Sequence, residues 1–161
     1  MMPYMIGQIS IHQYLALHYA SNEVNNDKEV IMRAVSVSTK CYPIAIQFAS
    51  KDLRNDKDVA IAACTQDGRA LSFISDSLKN DQEVVLTAVN QRGVVLQFAS
   101  DELKSNMDVC LAAVTQDPKA MVWVNDAFQP DAIRAMLLDR TYVDLFEECQ
   151  LYLEEEEPED D

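Results

Sequence analysis

Short polar motifs and apolar stretches alternate along the chain, and the alternation repeats. The first motif is a small polar residue followed by an acid three positions later and a valine four positions later. It occurs at 26–30, 55–59, 80–84 and 105–109. A second motif, an apolar residue with an aromatic residue two positions later, occurs at 46–50, 71–75, 96–100 and, more loosely, 121–125. Self-similarity at intervals of 25–29 residues predicts an array of about four repeats.

The first half of each repeat predicts a helix. Its small polar residue suits the N-cap position, and the acid three residues later favours the positive end of a helix. The predicted N-caps are Asn26, Asn55, Asn80 and Ser105. Apolar residues follow in matching columns, of which one is Val30, Val59, Val84 and Val109. Gly68 and Gly93 are predicted to end the helix because glycine tolerates positive φ, and Pro118 ends the fourth copy.

The second half of each repeat predicts a shorter helix, with Leu71, Ile74 and Leu78 at i, i+3 and i+7 in one copy. An aromatic column is expected to fill the space between adjacent repeats. Its members are Tyr19, Phe48, Phe73, Phe98 and Trp123. Serines that follow this column are expected to cap a further turn leading to the next repeat. They are Ser21, Ser50, Ser75 and Ser100.

One repeat buries too few apolar side chains to offset the entropy of ordering its own backbone, so stability must come from stacking neighbours. The sequence therefore predicts an all-α fold, a short array of about four two-helix repeats with helical caps. We expect a single repeat domain at 1–153, with the caps at 1–20 and 131–153. An acidic, disordered tail is expected at 154–161.

Charge narrows the choice of partners. The 161 residues carry 27 acids and 13 bases, a net charge of −14, and such a chain repels the phosphates of a nucleic acid. The N-terminal stretch lacks the basic segment of a secretory signal and is too polar to span a membrane. We therefore expect a soluble protein that binds neither nucleic acid nor membrane and is either cytosolic or exported without a cleaved signal.

The reactive side chains give little support to an enzyme. Cys64 and Cys110 fall in apolar helical stretches and are interpreted as core residues, and no Cys-x-x-Cys pair indicates a metal site. Cys41 could act as a nucleophile only with a base such as His12 or His18, and nothing in the sequence places them together. No glycine-rich phosphate loop is present, so we expect no cofactor, no metal and no catalytic residues.

Polar residues at one edge of the repeats are the better candidates for a binding surface. A column of amides follows the first helix, and arginines flank the turn glycines. Extra residues in the first repeat form an insertion near 39–43, and insertions in repeat arrays often become binding loops. The predicted partner-binding residues are Lys40, Cys41, Tyr42, Gln66, Arg69, Gln91, Arg92 and Gln116.

The repeats resemble those of a helical family labelled domain of unknown function 4116. The third copy matches best, through the run at 80–86 and through Gly93, Leu96 and Ser100, and the resemblance covers 17–128. It supplies no catalytic residues. It implies a protein like the secreted effectors of intracellular bacteria of the Legionella type, and the glutamate-rich tail resembles C-terminal signals of type IV secretion substrates. Pro118 departs from the family pattern, which has glycine there.

We therefore expect a non-enzymatic protein-binding module, either a secreted effector or a regulator that inhibits another effector enzyme. Its partner is expected to be that enzyme or a host protein. Two alternatives remain open at this point. One is a small cysteine-dependent hydrolase or transferase, and the other is a structural module that self-associates into homo-oligomers.

Overall fold

A computed structural model describes residues 17–37 and 45–125. Within these ranges the chain forms helices and turns without strands, which confirms the predicted all-α class. The α-helices are α1 (Asn22–Asn25), α2 (Lys28–Val37), α3 (Lys51–Arg54), α4 (Lys57–Gln66), α5 (Gln82–Gln91) and α6 (Met107–Gln116). The 3-10 helices are η1 (Ala45–Phe48), η2 (Gly68–Ser72), η3 (Leu78–Asn80), η4 (Gly93–Phe98), η5 (Leu103–Ser105) and η6 (Pro118–Trp123). Residues 1–16 of the predicted cap at 1–20, the predicted cap at 131–153 and the acidic tail lie outside the described residues.

The same three-part unit recurs along the described chain. A ten-residue α-helix comes first, a 3-10 helix second and a short helical turn third, and the next ten-residue helix follows. The ten-residue helices α2, α4, α5 and α6 pack side by side in that order. The further turn predicted after the aromatic column is thus confirmed at α1, α3, η3 and η5. Ser50 and Ser100 cap it by accepting the N–H groups of Leu53 and Leu103, whereas the side chain of Ser21 makes no such bond.

The core runs continuously from one unit to the next. The valine column is fully buried in the later units, at Val59, Val84 and Val109. The aromatic column packs against this core at Phe48, Phe73 and Phe98, as predicted, but its end members Tyr19 and Trp123 are exposed. Because burial of apolar area is the main favourable term in folding, the inner units contribute most of the stability.

The helix N-caps lie one residue later than predicted. Asp27, Asp56, Asp81 and Asn106 accept the first backbone N–H groups of the long helices. Three of the predicted cap residues face the neighbouring unit instead, while the Oγ atom of Ser105 donates to the carbonyl of Asp101 in its own unit. The Oγ atoms of Ser50, Ser75 and Ser100 donate hydrogen bonds to the side-chain oxygens of Asn26, Asn55 and Asn80 respectively. These serine–asparagine pairs therefore tie each unit to the next one.

The second helix also differs from the prediction. Leu71, Ile74 and Leu78 are all buried, as the spacing required, but no single helix contains them. Leu71 lies in η2, Ile74 in the following turn, and Leu78 begins η3. A run of five or six residues is too short for periodicity to distinguish a 3-10 helix from an α-helix.

The turn glycines do not end the long helices. Asp67 and Arg92 follow α4 and α5 in extended conformation, and Gly68 and Gly93 begin the next 3-10 helices without a positive φ. Glycine is required here for a different reason. A Cβ at Gly68 would overlap the carbonyl oxygen of Ala88 in the next long helix, and a Cβ at Gly93 would overlap that of Ala113. Pro118 occupies the same position and begins η6 rather than ending a helix.

Candidate functional site

A polar groove of about 320 Å³ lies where three successive long helices end. It is lined by Gln66, Asp67, Gly68, Gln91, Arg92, Val94, Gln116 and Asp117. Each of the units that contain α4, α5 and α6 contributes its terminal glutamine and the residue that follows it. We call this surface the turn groove. Its regularity follows from the repeat, because the same position recurs in each stacked unit.

One side of the turn groove is held by a two-residue ion pair. The guanidinium of Arg69 donates to Asp67 at 2.6 and 3.0 Å, and the Arg69 backbone N–H donates to the same carboxylate at 2.9 Å. Arg92 lies farther away, with its Nε atom 3.9 Å from Asp67. Partial burial alone would raise the pKa of Asp67, but these hydrogen bonds and the charges of both arginines outweigh it and hold that pKa below its ordinary value. Asp67 is therefore an anion at neutral pH.

The column of glutamines has two different environments. Gln116 bridges two units, because its side-chain oxygen accepts the N–H of Gly93 and its Nε2 donates to the carbonyl of Gln91 at 3.4 Å. Gln66 and Gln91 occupy the same position in the preceding units, and their side chains are exposed. An exposed amide offers two donors and one acceptor oxygen, so these two residues are able to hydrogen-bond a peptide backbone.

The structure brings most of the predicted binding residues together. Gln66, Gln91, Arg92 and Gln116 line the turn groove, and Arg69 lies at its edge through its contact with Asp67. Lys40, Cys41 and Tyr42 lie outside the described residues. Asp67 and Asp117 were not predicted, although a signal exists, since an aspartate directly follows the terminal glutamine in both units.

The described cysteines are core residues, as predicted. Cys64 and Cys110 are buried, and burial raises the pKa of the Cys64 thiol to about 12 and that of Cys110 to about 11. The Cys110 thiol donates to the carbonyl of Lys104 at 3.1 Å. Neither side chain is a thiolate at neutral pH, so neither is a ready nucleophile.

Three further observations concern only the part of the chain that the structure describes. Histidine, cysteine and acidic residues there form no group that could hold a metal ion. None of the helices in the same ranges has the length and apolar character needed to cross a membrane. His18 is exposed and stacks on Phe48, with ring centroids 5.7 Å apart.

Comparison with known proteins identifies a family. The model of the domain of unknown function DUF4116 matches residues 38–79 and 81–129, which is more than half of the chain. The chain belongs to the DUF4116 family. Neither the curated proteins nor the solved structures contain a match. The first matched segment, 38–79, contains α3 and α4, and the second, 81–129, contains α5 and α6. The two segments together therefore contain every residue that lines the turn groove.

Proposed function

We propose that this DUF4116 protein is a non-enzymatic protein-binding module and that a segment of its partner lies in the turn groove. The observation that carries the proposal is the presence of a polar turn at the same position in three successive units, which together line one groove. Stacked repeats commonly use such extended surfaces to hold a partner chain.

The chemistry of the groove favours binding of a peptide over catalytic turnover of a small molecule. Gln66 and Gln91 offer exposed amides, while a tightly held ion pair, Arg69 with Asp67, fixes the shape of the edge. Neutral amides lack the pKa and nucleophilicity that acid–base or covalent catalysis needs. They are suited to hydrogen-bonding the backbone of an extended segment.

The resemblance to secreted bacterial proteins suggests two kinds of partner. If the protein is an effector delivered by a type IV system, the partner is a host protein. If it acts as a regulator, the partner is another effector enzyme, which the module inhibits while both are in the bacterial cytoplasm. Both versions use the same groove.

Recovery of partners on the immobilised full chain tests the proposal. Lysates of host cells and of the source bacterium are passed over the protein, and recovered proteins are identified and purified for measurement of Kd. We expect Gln91→Ala to weaken the interaction by about two- to thirteenfold, because a net hydrogen bond contributes about 0.5–1.5 kcal/mol. The lysate that yields the partner distinguishes the effector from the regulator.

Gln82→Ala is the matched control. Gln82 and Gln91 are both exposed and lie at opposite ends of α5, so the two variants remove the same group from the same helix. Loss of affinity in Gln91→Ala alone supports the groove. Equal affinity of wild type and Gln91→Ala for every purified partner would reject the groove as the binding site. Failure to recover a partner from either lysate would reject the proposal that the protein is a binding module.

A further inference from the structure

We infer that the turn groove binds a carboxylate of its partner, through the guanidinium of Arg92. The inference rests on the proposed function and specifies the chemistry of the partner: an extended segment that presents an aspartate or glutamate side chain at the middle of the groove.

The first observation is the incomplete pairing of Arg92. Its side chain is 52% exposed, and its one ion pair within the described residues is the 3.9 Å approach to Asp67. That carboxylate is already held by Arg69 through three shorter contacts from the guanidinium, at 2.6, 3.0 and 3.1 Å. A guanidinium has five N–H donors arranged for a planar acceptor. Arg92 therefore retains donors for a second carboxylate.

The second observation is the position that Arg92 occupies. In the units on either side, Asp67 and Asp117 stand at the equivalent place, and their carboxylates accept the backbone N–H groups of Arg69 and Lys119 at 2.9 and 3.0 Å. The middle unit has Arg92 there, and an arginine has no acceptor for the N–H of Val94, which also lines the groove. The middle turn thus lacks the carboxylate that both neighbouring turns contain.

The third observation is the local charge. Arg69, Arg92 and Lys119 lie at or beside the groove with Asp67 and Asp117, a balance of one positive charge. The residues that the structure describes carry 14 acidic and ten basic side chains, a net charge of −4. The turn groove is thus more positive than the described surface as a whole, and an acidic segment is accepted better there than elsewhere on that surface. Charge complementarity of this kind mainly determines where and in which register a partner binds.

Titration of the full chain with two synthetic peptides tests the inference. The probes are the blocked pentapeptides Gly-Ser-Glu-Ser-Gly and Gly-Ser-Gln-Ser-Gly, which differ only in the carboxylate. Amide and Arg Nε–H resonances are followed by NMR up to millimolar peptide. We expect the glutamate peptide to shift the Arg92 Nε–H and the Val94 N–H saturably. The glutamine peptide should bind at least about tenfold more weakly, which corresponds to about 1.4 kcal/mol for a charge-assisted pair.

Three variants complete the test. Arg92→Gln should abolish the preference for glutamate, and Arg92→Lys should keep part of it, because lysine retains the charge but not the planar fork. Arg33→Gln removes the same charge from an exposed position on α2 and should leave the preference unchanged. Equal binding of the two peptides, no saturable shift, or equal loss in Arg33→Gln would each overturn the inference. These results are independent of partner recovery, so a partner that requires Gln91 while the peptides show no preference would leave the proposed function standing.

Discussion

Two glycines set how closely the long helices approach one another. Gly68 and Gly93 each face a backbone carbonyl of the next unit, at a distance that leaves no room for a side chain. The sequence indicates that a special residue is needed at these turns, but the conventional explanation, a positive φ after a helix, is wrong. The actual cause is a contact with a residue 20 positions later, and local sequence contains no sign of it.

Substitution of Gly93 distinguishes these two causes. We expect Gly93→Ala to lower the free energy of unfolding by about 1–3 kcal/mol, the usual cost of overpacking a close contact. The measurement is urea unfolding followed by circular dichroism. Gly93→Asn is the informative companion, since asparagine adopts positive φ more readily than alanine does. It should be at least as destabilising as alanine, and near-wild-type stability of Gly93→Asn would contradict the steric explanation.

The helix N-caps, too, could be predicted only in part from the sequence. Asn80 and Asp81 are adjacent, and both are favoured N-cap residues, so residue type alone could not separate them. The structure assigns the cap to Asp81 because Ser100 of the next unit hydrogen-bonds Asn80. The helix was therefore predictable from the sequence, whereas its first residue depended on tertiary contacts.

At the scale of elements, lysines at the start of one long helix bind acids at the start of the next. Lys28 contacts Asp56 and Asp58, at 2.8 and 3.0 Å. Lys57 contacts Asp81 and Glu83, at 2.7 and 2.9 Å. The acids that motif analysis attributed to helix capping thus also join neighbouring helices. This second role was not predictable, because it requires knowing which helices lie side by side.

The pairing of Lys57 with Asp81 makes stability depend on pH. The hydrogen bond from Lys57, supported by backbone N–H groups, outweighs burial and lowers the pKa of Asp81 from its ordinary value of 3.8. A carboxyl group whose folded pKa is lowered contributes stability above its unfolded pKa and loses it as pH falls through the folded pKa. We expect the free energy of unfolding to fall between about pH 5 and pH 2, and to fall less steeply in Lys57→Gln.

Chemical denaturation at a series of pH values measures this dependence. Lys51→Gln is the control, because Lys51 is exposed at the start of α3 and its substitution removes the same charge. Its pH profile should follow that of the wild type. A Lys57→Gln profile as steep as the wild-type profile would show that the pairing does not stabilise the array.

At the scale of the whole molecule, the described core is continuous, but its first long helix is less covered than the helices that follow it. Val59 and Val84 are fully buried, whereas their counterpart Val30 in α2 is 37% exposed. Sequence analysis predicted the inner face of the array well, because repetition reveals which columns are apolar. It also identified the glutamines and arginines of the turn groove. It did not reveal their arrangement around Asp67 or the bridging role of Gln116, since both depend on contacts between units.

Hydrogen exchange should report this difference in coverage. Backbone amides of α5, which lies between α4 and α6, are expected to exchange more slowly than those of α2, because opening α5 disrupts two helix interfaces. Native-state exchange measured by NMR or mass spectrometry tests the order. Equal protection throughout would show that the array unfolds as a single cooperative unit. Slower exchange in α2 than in α5 would show that unfolding starts at another point in the array.

Pro118 has a practical consequence for anyone who wishes to lengthen this protein. A further helix added after η6 in the register of the earlier ones would bring its carbonyl onto the proline ring, where Gly68 and Gly93 leave space. Extra modules should instead be inserted internally, for example between Ser105 and Asn106, so that each new junction contains a glycine. Such inserted modules would also extend the row of turns, and with it the length of peptide that a redesigned scaffold could recognise.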